Sequence, residues 1–245
     1  MSQFAPVGVV RRETSLIAVT GTRLVLIRHG ESNATVRRMI GGPRTCSGLS
    51  PLGQLQSERL RDRFLQHNEI PADVLVSSSF PRARETAQII APGLGSLPIT
   101  VIPQWGEHDP GPECDGMSYK DFIDLYGMPD WETDPHAITF PGGGETVAEF
   151  HLRVGAALAQ TVRSYEGATV VVCCHGGVID AILRTALRAP TTGFFEVHTL
   201  NTSITEVQHL RAGRWKLVRY NDAAHLSGLP ASTAPQIDGS AVPTQ

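Results

Sequence analysis

Two histidines stand at matching places in this chain. The run Leu24-Val25-Leu26-Ile27-Arg28-His29-Gly30 is apolar until it ends on Arg, His and Gly. The run Val170-Val171-Val172-Cys173-Cys174-His175-Gly176-Gly177 closes in the same way. Each histidine falls where a buried strand gives way to a loop or a helix, and in open parallel sheets that edge is where ligands bind. Neutral imidazole is a competent nucleophile toward phosphorus, and a phosphohistidine splits one hard displacement into two easier ones. Arg28 would hold phosphoryl oxygens with its fork of donors, and Gly30 would let the backbone approach a ligand closely. His175 would donate to the oxygens of a transferring phosphoryl group, and the amides after it, from Gly176 onward, would add donors at a helix start. Taken singly, either histidine also suits a strand-end or core residue bonded to the backbone. Taken together with an arginine, they describe a pocket for phosphate.

Two further segments carry charge suited to that chemistry. Ser77-Ser78-Ser79-Phe80-Pro81-Arg82-Ala83-Arg84-Glu85-Thr86-Ala87 comes after a short apolar run and opens a helix. Arg82 lies in the first turn, where a cation opposes the helix dipole unless an anion is close, so it reads as a phosphate ligand. Arg84 reads as part of a solvated face. The segment from Trp105 to Gly116 is dense in carboxylates. A leaving alkoxide needs a proton, and one carboxyl group there would serve as general acid. The competing reading is a hard-cation site built from Glu107, His108, Asp109, Glu113 or Asp115, although no HExxH or calcium-loop spacing is present.

The elements that must position these residues alternate between strand and helix. Strands are expected at residues 23–28, 73–76, 99–102 and 168–174, with a closing pair at 203–208 and 214–219. Helices are expected at 51–67, where Ser50 caps and Pro51 fills the first turn, and at 81–90, 118–126, 145–165 and 178–187. Val147, Phe150, Val154, Leu158 and Val162 recur at helical spacing and are core residues. The expected fold class is α/β, a mostly parallel sheet flanked by helices on both faces. Residues 1–21 read as an N-terminal extension and 22–225 as one domain. Residues 226–245, rich in Ser, Pro, Ala and Gly, read as a disordered tail.

Composition narrows the function classes. The chain has 245 residues, 41% of them hydrophobic, and a net charge of −3. That is enough apolar sequence for a sizeable core and gives no basic footprint for nucleic acid. No apolar stretch is long enough to span a bilayer. Cys46, Cys114, Cys173 and Cys174 form no CxxC pattern, and adjacent cysteines on a strand point to opposite faces. They read as small buried strand residues in a reducing, cytoplasmic setting.

In this order the elements resemble the histidine phosphatase superfamily, its phosphoglycerate mutase-like branch, over roughly residues 23–219. The resemblance implies a three-layer α/β/α fold of the phosphoglycerate mutase-like kind. It also implies that His29 becomes phosphorylated, that Arg28 and Arg82 bind the phosphate, and that His175 is the second histidine of the site. The family's acid lies in a pattern like Glu-x-x-x-Gly, which Glu107 with Gly111 matches. A family asparagine near the nucleophile maps to Asn33, with Ser32 and Thr35 competing for its role. Residues 141–146, with Arg153 beyond them, resemble the family's Pro-Gly-Gly-Glu-Ser/Thr helix start with one extra glycine. In mutase members Arg and Tyr come after the acid, whereas His108 and Asp109 stand here, which favours hydrolysis. The expected activity is metal-independent hydrolysis of a small phosphomonoester through phosphohistidine, with no cofactor. The alternatives are a mutase-type phosphoryl transferase and a non-catalytic phosphate-binding protein. Arg37, Arg38 and Arg44 would meet a second anionic group or simply face solvent, and an exposed sheet edge would permit a homodimer.

Overall fold

The computed structural model describes residues 21–130, 132–192, 195–210 and 213–232. Most of the expected N-terminal extension, and the tail beyond Ser232, lie outside the described residues. Six strands form one sheet: β1 (Thr22–Arg28), β2 (Val74–Ser77), β3 (Ile99–Val101), β4 (Thr169–Cys174), β5 (Ile204–His209) and β6 (Trp215–Asp222), in the order β3-β2-β4-β1-β5-β6. β3, β2, β4 and β1 are mutually parallel, and β5 runs antiparallel to both β1 and β6.

Alternation along the central strands sends side chains into two cores. Leu24, Leu26, Val170, Val172 and Cys174 join one cluster, and Val25, Ile27, Val171 and Cys173 join the other. Cys173 and Cys174 therefore point to opposite faces, as strand geometry requires. All four cysteines are free and buried. The helices are α1 (Asn33–Val36), α2 (Pro51–His67), α3 (Pro81–Ile90), α4 (Gly111–Cys114), α5 (Tyr119–Tyr126), α6 (Val147–Ser164) and α7 (Gly176–Leu187). Residues of α6 and α7 cover the first core, and residues of α2 and α3 cover the second. The result is the expected three-layer sandwich. A small third cluster of Ile40, Cys114 and Phe122, with Met117 and Phe140 against it, ties α4 and α5 to the loops around them.

Most helix ends obey local chemistry. Ser50 Oγ accepts from the Gly53 amide at the start of α2, with Pro51 in its first turn. α6 starts two residues later than expected because Thr146 and Glu149 form a reciprocal capping box. α7 starts two residues earlier, at Gly176, so His175 is its N-cap residue. Between β3 and α5 the chain holds a 3-10 turn at Pro103–Trp105 and the short α4. The described chain also runs past the expected domain end at residue 225. At its end Ser232 Oγ donates to Glu31 Oε2 at 2.5 Å.

Strand order creates the site. β1 and β4 are parallel neighbours with Arg28 opposite Cys174 in register. The next residue of each strand is a histidine, so His29 and His175 arrive side by side at the carboxyl edge of the sheet.

Candidate active site

The two imidazole rings lie 5.1 Å apart, edge to face. His29 is held at three points. Its amide donates to Cys174 O at 3.0 Å, extending the ladder one residue past β1. Its carbonyl accepts from Asn201 Nδ2 at 2.9 Å. Its Nδ1 lies 2.6 Å from Gly30 O. A carbonyl only accepts, so Nδ1 carries the hydrogen and Nε2 the lone pair. Arg82 Nε donates to that same Nε2 at 3.0 Å, which independently requires the lone pair there. Burial, then the charges of Arg82 and Arg28, push the His29 pKa well below its ordinary value. His29 is thus a neutral base with its reactive nitrogen facing a cluster of cations.

Arg82 occupies the second position of α3 and is buried. Its Nη1 donates to Gly41 O at 2.7 Å and its guanidinium stacks 4.6 Å over Phe80. Arg28 donates through Nη1 to Thr199 O, which leaves its Nε without a partner. Burial lowers its proton affinity, nearby Glu107 opposes that, and Arg82 adds to it. His175 Nε2 pairs with Ser78 Oγ at 2.8 Å, while its buried Nδ1 has no partner. Burial, then Arg82, His29 and Arg28, hold its pKa well below the ordinary range. The buried Arg82 and the half-buried Arg28, with two imidazoles that stay neutral beside them, make a site suited to a multiply charged anion.

Glu107 faces the start of α7. Its Oε2 accepts from the Gly177 amide at 3.0 Å and its Oε1 from the His108 amide at 3.0 Å. A Cβ at position 177 would fall 2.5 Å from Glu107 Oε1, so glycine there makes room for the carboxylate. Arg153 fixes the backbone beneath it. Its guanidinium donates to Gln104 O, Gly106 O and Glu107 O, and it pairs with both oxygens of Glu145 at 2.7 Å. Replacing Arg153 with alanine is expected to loosen this loop. Turnover should then fall by roughly tenfold or more for esters with poor leaving groups, with little change in phosphate affinity. Steady-state kinetics beside a product-inhibition constant would check this, and an equal loss in both would mean the whole site had collapsed.

Several expectations change in this setting. Asn33 spends its amide hydrogens on Ser47 O (3.1 Å) and Leu49 O (3.0 Å), so it pins the loop and has no donor left for phosphate. Ser32 and Thr35 are engaged with each other, since Ser32 Oγ accepts from the Thr35 amide and lies 3.0 Å from Thr35 Oγ1. A Cβ on Gly30 would fall 2.4 Å from Gly53 O, so its missing side chain makes room for the backbone of α2. Arg44 pairs with Asp109 at 3.0 Å across the entrance loops. The carboxylate-rich segment disperses. Asp115 accepts from the Gly42 and Arg44 amides, and His108 Nε2 meets Glu145 O. Among the described residues, no three His, Cys, Asp or Glu side chains gather as a metal-binding group. Asn201 and Thr199 belong to the site and carry no local signal in the sequence.

The buried histidines also set a pH dependence of stability. In the unfolded chain an imidazole takes a proton near 6.5, whereas His29 and His175 resist it in the fold. His225 behaves alike, pushed down to about 4 chiefly by burial. Below 6.5 the unfolded state binds more protons than the native state, so stability falls with falling pH. The urea midpoint is expected to drop steadily between pH 6.5 and 4. These groups contribute no slope above about pH 7. A flat midpoint across that acidic window would contradict the buried-neutral assignment.

The chain belongs to the Histidine phosphatase superfamily (branch 1), whose sequence profile matches residues 24–223. Among curated relatives, the metal-independent phosphoserine phosphatase of Arabidopsis thaliana is 30% identical over 218 residues, spanning 85% of this chain and 84% of that one. Phosphoglycerate mutase-like protein 4 of Arabidopsis thaliana is 28% identical over 205 residues, spanning 83% and 86%. Among solved structures, Bacillus stearothermophilus YhfR superposes with a TM-score of 0.69 at 25% identity, covering 84% of this chain and 99% of that one. A phosphatase or mutase function of the superfamily is therefore supported. No helix among the described residues is long and apolar enough to cross a membrane.

Proposed function

We propose that this protein hydrolyses small phosphomonoesters through a phosphohistidine on His29, without a metal ion. The carrying observation is the neutral His29 Nε2, its lone pair turned toward Arg82 in a pocket that also holds Arg28 and His175. An incoming phosphoryl group takes over the Arg82 donor and frees that lone pair. Nε2 then forms a bond to phosphorus as the ester P–O bond breaks, and Glu107 gives a proton to the leaving oxygen. Water next attacks the phosphohistidine, Glu107 takes its proton, and the P–N bond breaks to release phosphate. Arg28, Arg82, His175 and the Gly176 amide stabilise the charge spread over the equatorial oxygens, so positioning and electrostatics do most of the work.

The two residues after the acid favour hydrolysis over transfer. His108 is bonded to Glu145 O and Asp109 to Arg44, so neither presents a cation to a second phosphate. A mutase-type transferase is the second reading, supported by the name of the relative phosphoglycerate mutase-like protein 4. It would reveal itself by dependence on a bisphosphorylated primer. A purely binding role has no use for a carboxylate seated between the His108 amide and the Gly177 amide at the start of α7. Phosphoserine stands first among substrates to try, because a relative at 30% identity bears that activity in its name. The free cysteines fit a cytoplasmic setting, and the exposed edge strand β6 would admit pairing of two copies. The test is phosphate release in the presence of chelator from phosphoserine, sugar phosphates, phosphoglycerates, nucleotides and phosphopeptides. Turnover that chelator abolishes would sink the metal-free mechanism.

A further inference from the structure

Thr199 lies in the segment that leads into β5, beside the end of β1. It is buried, and its hydroxyl has no hydrogen-bond partner. Buried polar atoms in folded proteins are nearly always paired, so an orphan needs a reason. Arg28 Nε and His175 Nδ1 are buried and unpartnered as well. These atoms share one neighbourhood. His175 is the N-cap of α7, and Gly176 is the next residue. A methyl group built on Gly176 would sit 3.6 Å from Thr199 Oγ1 and 3.6 Å from Arg28 Nε. The Thr199 carbonyl meanwhile holds Arg28 Nη1, which fixes the guanidinium and leaves its Nε edge uncommitted.

The polarity of the orphans is consistent. Arg28 Nε is a donor. Ser78 Oγ accepts from the Phe80 amide and has its own hydrogen to give to His175 Nε2; with that bond made, the ring hydrogen sits on Nδ1. A threonine hydroxyl can donate to whatever accepts. The first amide of α7 adds a fourth donor. A ligand satisfying all of them must be rich in acceptors, which describes a phosphoryl group.

We propose that the Thr199 hydroxyl is a ligand of the transferred phosphoryl group, donating to one of its oxygens alongside Arg28 Nε and the Gly176 amide. This rests on the reading of His29 as the phosphoryl acceptor. Thr199→Val keeps the shape and the methyl group but removes the hydroxyl. Thr199→Ser keeps the hydroxyl but removes the methyl group. A hydroxyl ligand predicts that Thr199→Val loses about tenfold or more in orthovanadate affinity and in kcat/KM, while Thr199→Ser stays within about threefold of wild type. A packing role predicts the opposite order. The measurements are inhibition by orthovanadate and single-turnover formation of the acid-labile phosphoenzyme, with melting temperatures taken for each variant. If Thr199→Val does not fold, Thr199→Ala compared with Thr199→Ser gives the same contrast. Wild-type vanadate affinity and turnover in Thr199→Val would overturn the proposal with the phosphohistidine reading intact. A wild-type protein that neither binds vanadate nor forms phosphoenzyme would overturn that underlying reading, and Thr199's role with it.

Discussion

Replacing His29 with alanine is expected to abolish phosphate release, with turnover down by roughly 10⁴-fold or more. The size of the effect comes from the ring's place in the reaction. The other imidazole of the site has its Nε2 engaged with Ser78, and Arg28 and Arg82 are donors only. The fold should survive the change. The His29 backbone keeps its bonds to Cys174 and Asn201, and only the contacts of the ring itself are lost. The decisive comparison is acid-labile phosphate bound to protein after rapid mixing with substrate, present in wild type and absent in the variant. A variant that keeps a tenth of wild-type turnover would show that water attacks the ester directly.

Substituting Glu107 with glutamine is expected to slow esters with poor leaving groups by on the order of 10²–10³-fold, and aryl esters such as p-nitrophenyl phosphate far less. Both carboxylate oxygens accept backbone hydrogens, from Gly177 and from His108. A glutamine amide would turn one NH₂ against a backbone N–H, so the variant loses a seat as well as a proton. The dependence on the leaving group separates these two effects. Displacement of the side chain would burden all esters alike, whereas loss of proton donation burdens only those whose alkoxide leaves badly. Equal losses across the series would remove Glu107 from the acid role and leave it as a positioning residue.

Much of the architecture was legible in the chain because its signals are local. Two apolar runs, each ending on His and Gly, marked the strands that deliver the site. Ser50 with Pro51 marked the start of α2, and Pro81 that of α3. The misplacements came where bonding is reciprocal or distant. The first turn of α6 depended on the Thr146–Glu149 capping box, which shifted its start from residue 145 to 147. The partners of Asn33 are equally distant from its own segment: Ser47 and Leu49, from a loop beyond α1, take its amide hydrogens. The close approach of Gly53 in α2 to Gly30 likewise leaves no mark in the local sequence.

By itself, then, the sequence determined the alternation of strands and helices, the two cores that strand periodicity builds, and the residue types of a phosphate pocket. Those depend on interactions spanning a few residues, and their signatures are periodicity, caps and turn chemistry. The tertiary structure decided the rest. The parallel pairing of β1 with β4 set His29 against His175, and the antiparallel entry of β5 brought Thr199 and Asn201 behind Arg28 and His29. The fold also decided which nitrogen of His29 is free, because that assignment needs a backbone carbonyl on one side and Arg82, 53 residues further along the chain, on the other. Contacts between such distant segments depend on the order of strands in the sheet, and strand order leaves no imprint within any short stretch of chain.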